Sequence, residues 1–231
     1  MYKVFTFFIF LMAMPLFSQE SLKEAPNFEA VDSLYREDQF YFSLAGEILL
    51  EKPDGLKQSK ISTGFTFGFL RDMPINKART WSIAAGLGYG IYNLNQNLLI
   101  SKTNGDISYS INDTVAFDKN KLILNYIELP IELRWRTSTP DSHKFWRIYT
   151  GFKFSYLVFD RLKYVDENND YTVRNNADLN KLRYGAYVAL GYNTWNFNVY
   201  YGLNPIFKSG TINEKPIDFK VLNIGLMFYV L

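Results

Sequence analysis

Apolar and polar residues alternate with a period of two along most of the chain after Gln39, the pattern of strands whose two faces meet different surroundings. The C-terminal segment shows it plainly: Leu222, Ile224, Leu226, Phe228 and Val230 share one face, while Asn223, Gly225 and Tyr229 fall on the other. Between Asn125 and Trp135, Ile127, Leu129, Ile131, Leu133 and Trp135 oppose Tyr126, Glu128, Pro130, Glu132 and Arg134. Trp146 to Val158 sets Ile148, Phe152, Phe154 and Tyr156 against Arg147, Gly151, Lys153 and Ser155. Leu182 to Tyr192 and Phe197 to Pro205 repeat the pattern, and Phe40 to Leu50, Ile61 to Leu70 and Trp81 to Tyr92 supply earlier strands. About eight strands are predicted, each near the ~9–11 residues that cross a bilayer when tilted.

Alternation alone does not say which face points inward, since a secreted lipocalin-like barrel would place its apolar face inside. The polar face decides it. Ser82, Ala84, Gly86, Gly88 and Gly90 line one strand, and Ser62, Gly64, Thr66 and Gly68 another; such small residues suit the crowded interior of an eight-stranded barrel. The apolar face carries bulky Phe, Leu, Ile and Tyr with almost no charge, as contact with lipid requires. The predicted fold is all-β, a single antiparallel transmembrane β-barrel of about eight strands with its polar side inward.

Connections of two lengths alternate. Asp72 to Thr80, Thr137 to Lys144 and Asn193 to Asn196 run four to nine residues, whereas Glu51 to Ser59, Lys102 to Asn120, Asp160 to Leu179 and Lys208 to Ile217 run nine to twenty and are polar. Outer-membrane barrels have short periplasmic turns and longer extracellular loops, so both termini are expected in the periplasm of a Gram-negative bacterium. Trp81, Trp135, Trp146 and Trp195 all fall beside the short turns. Because Trp favours the membrane–water boundary, they read as a periplasmic aromatic girdle.

The N-terminus has the layout of an export signal: Lys3, an apolar run from Val4 to Phe17, then Ser18 and Gln19 before a polar stretch. The expected organisation is a signal peptide over residues 1–19, an acidic periplasmic leader over 20–38 and the barrel over 39–231. Phe28, Val31, Leu34 and Tyr35 would give the leader a short amphipathic stripe, fit to dock a partner or to plug the barrel mouth.

Composition narrows the function. The chain has 231 residues, no cysteine, one histidine and a formal net charge of +2. Without cysteine there is no disulfide, thiolate nucleophile or Cys-based metal site. A near-neutral balance argues against nucleic acid as a partner. A transport, scaffold or binding role fits better than an enzyme, and no cofactor is expected.

The segment Asn125 to Leu133 reads N-Y-I-E-L-P-I-E-L, with Tyr126, Glu128 and Pro130 as its marked positions. It resembles a hallmark of small outer-membrane β-barrels of the PorT-like family, and the Gly-rich aromatic strands extend that resemblance over roughly Gln39 to Leu231. The resemblance implies a non-enzymatic barrel, in the broad porin family, that assists protein secretion across the envelope, with outer-membrane lipid and secretion-machinery or other envelope proteins as partners. A narrow ion or small-solute channel and a secreted lipocalin-like ligand-binding barrel are the alternatives. Two features depart from the pattern. Chains of this class often end on an aromatic residue, whereas this one ends Phe228-Tyr229-Val230-Leu231. Pro130 also removes a ladder hydrogen bond, a loss that a local bulge or luminal water would absorb.

Luminal charge is the main candidate constellation: Glu47, Lys60, Glu128, Glu132, Arg134, Arg147 and Lys153. If Arg136 faces Phe145, Glu128 stands opposite Lys153 and Arg134 opposite Arg147; a slip of two puts Glu132 opposite Arg147. Glu47 and Lys60 form a further expected pair across the first hairpin. Charges in a narrow interior must be paired, so the network reads as a plug that fixes register, with an ion path as the sharper alternative. Asp166 to Asp170 has the oxygen spacing of a calcium loop, but Tyr171 and Ala177 occupy the positions of its glycine and bidentate glutamate; it reads as a solvated loop. His143 follows Ser142 in a turn with no third group to orient a triad.

Overall fold

A computed structural model describes residues 37–138 and 144–230. The signal segment, the leader up to Arg36 and His143 lie outside them. Among the described residues thirteen strands run in chain order: β1 Gln39–Leu50, β2 Thr63–Pro74, β3 Trp81–Asn95, β4 Leu98–Thr103, β5 Asp106–Ile111, β6 Lys119–Arg136, β7 Trp146–Val165, β8 Asp170–Arg174, β9 Leu182–Tyr192, β10 Trp195–Gly202, β11 Thr211–Ile212, β12 Lys215–Pro216 and β13 Lys220–Val230. Eight of them close a ring of antiparallel neighbours, β1-β2-β3-β6-β7-β9-β10-β13, and β13 pairs back onto β1 from Phe40↔Val230 to Leu50↔Lys220. Closure leaves no open edge in the ring, the condition under which a sheet can sit in hydrocarbon.

The alternation sorts as the sequence predicts. Phe40, Phe42, Phe65, Phe67, Leu129, Ile131, Phe152, Phe154 and Leu190 are exposed on the outer wall, while Ser43, Thr66, Ser82, Glu128, Arg134, Arg183 and Asn198 are buried inside. A lipocalin-like barrel would have these faces exchanged. Three further hairpins occupy the long connections: β4–β5, the tips of β7 with β8, and β11–β12. The long polar loops of the sequence reading are thus largely folded β-structure, and β6 and β7 run eighteen and twenty residues because they continue into it.

Backbone irregularities sit in two places. Asn125 faces Phe159 while Tyr126 faces Leu157, so Val158 is an extra residue in β7. Val158 and Phe159 both point outward, and the inward-outward phase of β7 reverses beyond them. The bulge therefore lies away from Pro130, and of the two ways offered for absorbing the proline's lost hydrogen bond it is not the one used. At Pro130 the β3–β6 pairing instead stops after Ala85↔Ile131 and resumes at Gly88↔Glu128 with the register unchanged. A missing N–H is absorbed as a gap in the ladder.

Candidate functional site

The lumen is layered by charge. Near the turn end, Asp72 on β2 accepts hydrogen bonds from Arg136 (Nη1 to Oδ1 3.0 Å, Nη2 to Oδ2 2.9 Å) and from Arg134 Nη1 at 3.2 Å. Ser82 donates its hydroxyl to the same carboxylate at 2.6 Å. Arg134 Nε also donates to Glu132 at 2.6 Å, and Tyr187 donates to the other Glu132 oxygen at 2.6 Å. Glu37 joins through an ion pair with Arg136 at 3.7 Å and through its carbonyl, which accepts from Arg134. The side chains of Asp72, Glu132, Arg134 and Arg136 have no exposed surface. The local cause is alternation: Leu70 and Asp72 continue the inward face of β2, as Glu132, Arg134 and Arg136 continue that of β6.

Midway along the barrel, Glu128 forms an ion pair with Lys153 at 3.1 Å and accepts from Tyr92 at 2.5 Å. Lys153 Nζ in turn donates to the Tyr92 oxygen at 3.1 Å. The Arg183 guanidinium lies among three tyrosine rings, 5.0 Å from the Tyr92 centroid, 5.7 Å from Tyr126 and 5.2 Å from Tyr200. Arg147 stacks 4.5 Å from the Phe145 ring and near Tyr149 and Tyr229. Rings here serve as neutral partners for cations that have left water. A cavity in this layer, lined by Tyr41, Glu47, Tyr187, Tyr200 and Asn223 among others, leaves about 20 Å³ open to the centre of a water molecule, room for a water or two.

The register differs from both sequence alternatives. Arg136 faces Arg147, Arg134 faces Tyr149, Pro130 faces Lys153 and Glu128 faces Ser155. Glu128 and Lys153 still meet, diagonally. Glu132 pairs with Arg134 two residues along its own strand instead of with Arg147. The expected Glu47–Lys60 pair does not form: Lys60 donates to the Asp118 carbonyl at 2.8 Å, because β2 begins only at Thr63 and leaves Lys60 in the loop. The Glu47 carboxylate is buried without a hydrogen-bond partner. Reasoning from the sequence also missed Asp72, Arg136, Arg183 and Glu37. Asp72 was placed in a turn, although the parity of Thr66, Gly68 and Leu70 runs through it unbroken.

The four tryptophans gather at the turn end of the outer wall. Trp81 stands opposite Trp135, Trp146 packs on Tyr192 at 5.1 Å between ring centroids, and Trp195 on Phe228 at 5.4 Å. Trp195 shares the outward face with Phe197.

At the other end the connections share one apolar core. Leu56, Leu98, Ile100, Leu124, Leu162, Val173, Leu179, Phe207, Ile217 and Phe219 are all buried in it. Tyr109 of β5 stacks edge-on against Phe207 at 5.7 Å and donates to Asp178 at 2.7 Å. Burial first, and then that bond to a carboxylate, hold the Tyr109 phenol well above its ordinary pKa. Asp166, in the calcium-like segment, accepts from the amides of Asn168 and Asn169 and from the Tyr164 hydroxyl, closing a turn on itself.

A family model described as outer membrane protein beta-barrel domain matches residues 17–208. Among curated proteins, none matches. Among solved structures, the chain is similar to Ail, the attachment invasion locus protein of Yersinia pestis, at 15% identity and a TM-score of 0.38, over 84% of this chain and 97% of that one. Ail in complex with the heparin analogue sucrose octasulfate matches at 11% identity with the same coverage and TM-score. A triple mutant of the Rhodopseudomonas blastica porin matches at 9% identity and a TM-score of 0.21, over 84% and 99% of the two chains.

Proposed function

Since the chain belongs to the outer membrane protein beta-barrel domain family and so to the outer membrane, we propose that it is a non-enzymatic membrane platform whose two ends, and not its lumen, do the work. One observation carries this reading: side chains crowd the interior, most of its ions are held by one another or by aromatic rings, and the cavity in its middle layer leaves only about 20 Å³ open to the centre of a water molecule. Open diffusion pores need ~16–18 strands. The capped end faces the cell exterior, and the tryptophan end, with both strand termini, faces the periplasm; short turns and long loops in alternation support this orientation. Its finer role is as an accessory of envelope protein secretion, on the strength of the PorT-like motif at Tyr126, Glu128 and Pro130. The acidic leader before Gln39 is the periplasmic contact.

Planar-bilayer recording tests the sealed lumen: the purified barrel gives no steady conductance. A steady current abolished by Glu128→Ala and Lys153→Ala would replace the platform with an ion path. Deleting the gene tests the secretion role, with secreted cargo then trapped in the periplasm. Unimpaired export would remove that role and leave the barrel untouched.

A further inference from the structure

At the loop end of the outer wall, β6 and β7 carry a groove of about 440 Å³ lined by Lys60, Lys119, Lys121, Arg161 and Lys163. Two carboxylates stand near these five cations: Asp118 in the lining, and Asp170, which pairs with Lys163. Among the described residues Lys119, Lys121 and Arg161 enter no ion pair, and the Arg161 Nε is buried with no hydrogen-bond partner. A buried guanidinium N–H without an acceptor is costly.

One residue places two of these cations, Arg161 and Lys163, on the outer surface. Below the bulge the outward residues of β7 are even-numbered; above it they are odd. Without Val158, Asp160, Leu162 and Tyr164 would point outward and Arg161 and Lys163 into the lumen. With it, Arg161 faces Ile123 and Lys163 faces Lys121 across the same outer surface. The height is equally telling. From Trp135 to Lys121 along β6 is a rise of roughly 35 Å at ~3.3 Å per residue and a tilt of about 40°. With the tryptophans at one boundary, the groove sits just past a hydrocarbon core of about 30 Å, at headgroup level on the far side.

We propose that this groove binds the phosphate monoester of an anionic lipid in the leaflet at the loop end. A monoester carries about −1.5 to −2 near neutral pH and three acceptor oxygens, which suits an arginine fork flanked by lysines. The proposal rests on the membrane placement argued above. Insertion into vesicles is therefore verified first, by the mobility difference between folded and heat-unfolded barrel; failure there strikes the platform, not the groove.

The test uses the full chain in phosphatidylcholine vesicles doped equally with phosphatidic acid and phosphatidylglycerol, and reads the lipid retained on extraction by mass spectrometry. Phosphatidic acid should be enriched over phosphatidylcholine and over the diester phosphatidylglycerol. At about 1 kcal/mol per surface cation, Lys121→Gln with Arg161→Gln should weaken retention about thirtyfold, while Lys102→Gln, in the exposed β4 tip, should not. Higher salt should weaken retention by the unmutated chain, a readout that needs no variant. Equal retention of the diester, or retention indifferent to the double substitution, overturns the proposal. Displacement by inorganic phosphate at comparable affinity would assign the groove to free phosphate and overturn its lipid source.

Discussion

Asp72 and Arg136 meet through two parallel hydrogen bonds of 3.0 and 2.9 Å, although β3 lies between their strands and neither side chain touches solvent. The contact bridges β3 along the inner wall because Arg136 reaches over Ser82, whose hydroxyl binds the same carboxylate. Arg134 adds a third bond. One carboxylate therefore neutralises much of two buried guanidinium groups.

Asp72→Ala should strand those two cations. Removing one partner of a buried pair costs about 3–5 kcal/mol, so urea unfolding in detergent should show a loss of that order. Asp72→Asn, which keeps one acceptor oxygen but gives up the charge and sets an amide donor against the other guanidinium N–H, should still lose less than alanine. A change under ~1 kcal/mol for the alanine variant would show that Glu132 and Glu37 suffice.

Leu129 is exposed in mid-belt and Ile61 is exposed in the β1–β2 loop. Arginine at Leu129 should cost about 2–4 kcal/mol of barrel stability, and arginine at Ile61 close to nothing. Folding into liposomes measured for both variants checks the height of the hydrocarbon layer. Equal penalties would contradict it.

A Cβ built on Gly225 runs into the Leu44 carbonyl oxygen and the Ala45 Cα of β1. Both obstacles are backbone, so nothing flexible can yield. Gly225→Ala should destabilise the closing β1–β13 seam by about 1–3 kcal/mol, seen as a lower urea midpoint with an unchanged slope.

Phe207 lies at the centre of the apolar cap, against Tyr109 and Phe219. Phe207→Ala should cost about 3–5 kcal/mol, but locally. Amide exchange should quicken in β4, β5, β8, β11 and β12 while the eight ring strands keep their protection. Uniform loosening would mean that cap and barrel unfold as one unit.

Much of this architecture was legible because alternation needs only the identity of every second residue. Ile127 to Trp135 and Leu222 to Val230 declare their outer face without help from any neighbour. Register was not legible. It depends on where each turn closes, and a slip of two conserves every face, so Glu128 with Lys153 was found while Arg136 opposite Arg147 was not. The extra Val158 was invisible for a related reason: Val158 and Phe159 are both apolar, and an apolar pair on a lipid-facing strand breaks no visible rule. Asp72 was misplaced because Arg71-Asp72 has the composition of a turn, while its role comes from arginines more than sixty residues away. The cap was missed because its apolar residues come from four connections, none of which has a core of its own.

The interrupted ladder beside Pro130 fixes where this cylinder can breathe. Eleven consecutive partners zip the first and last strands of the ring together along β1 and β13, so the closing seam is a firm one. Between β3 and β6 the partners lapse at Gly86 and Leu87. Thermal fluctuation should split the wall there first, and of Gly86 and Leu87 the amide that points toward β6 should take up deuterium sooner than the amides of Phe42 or Leu226.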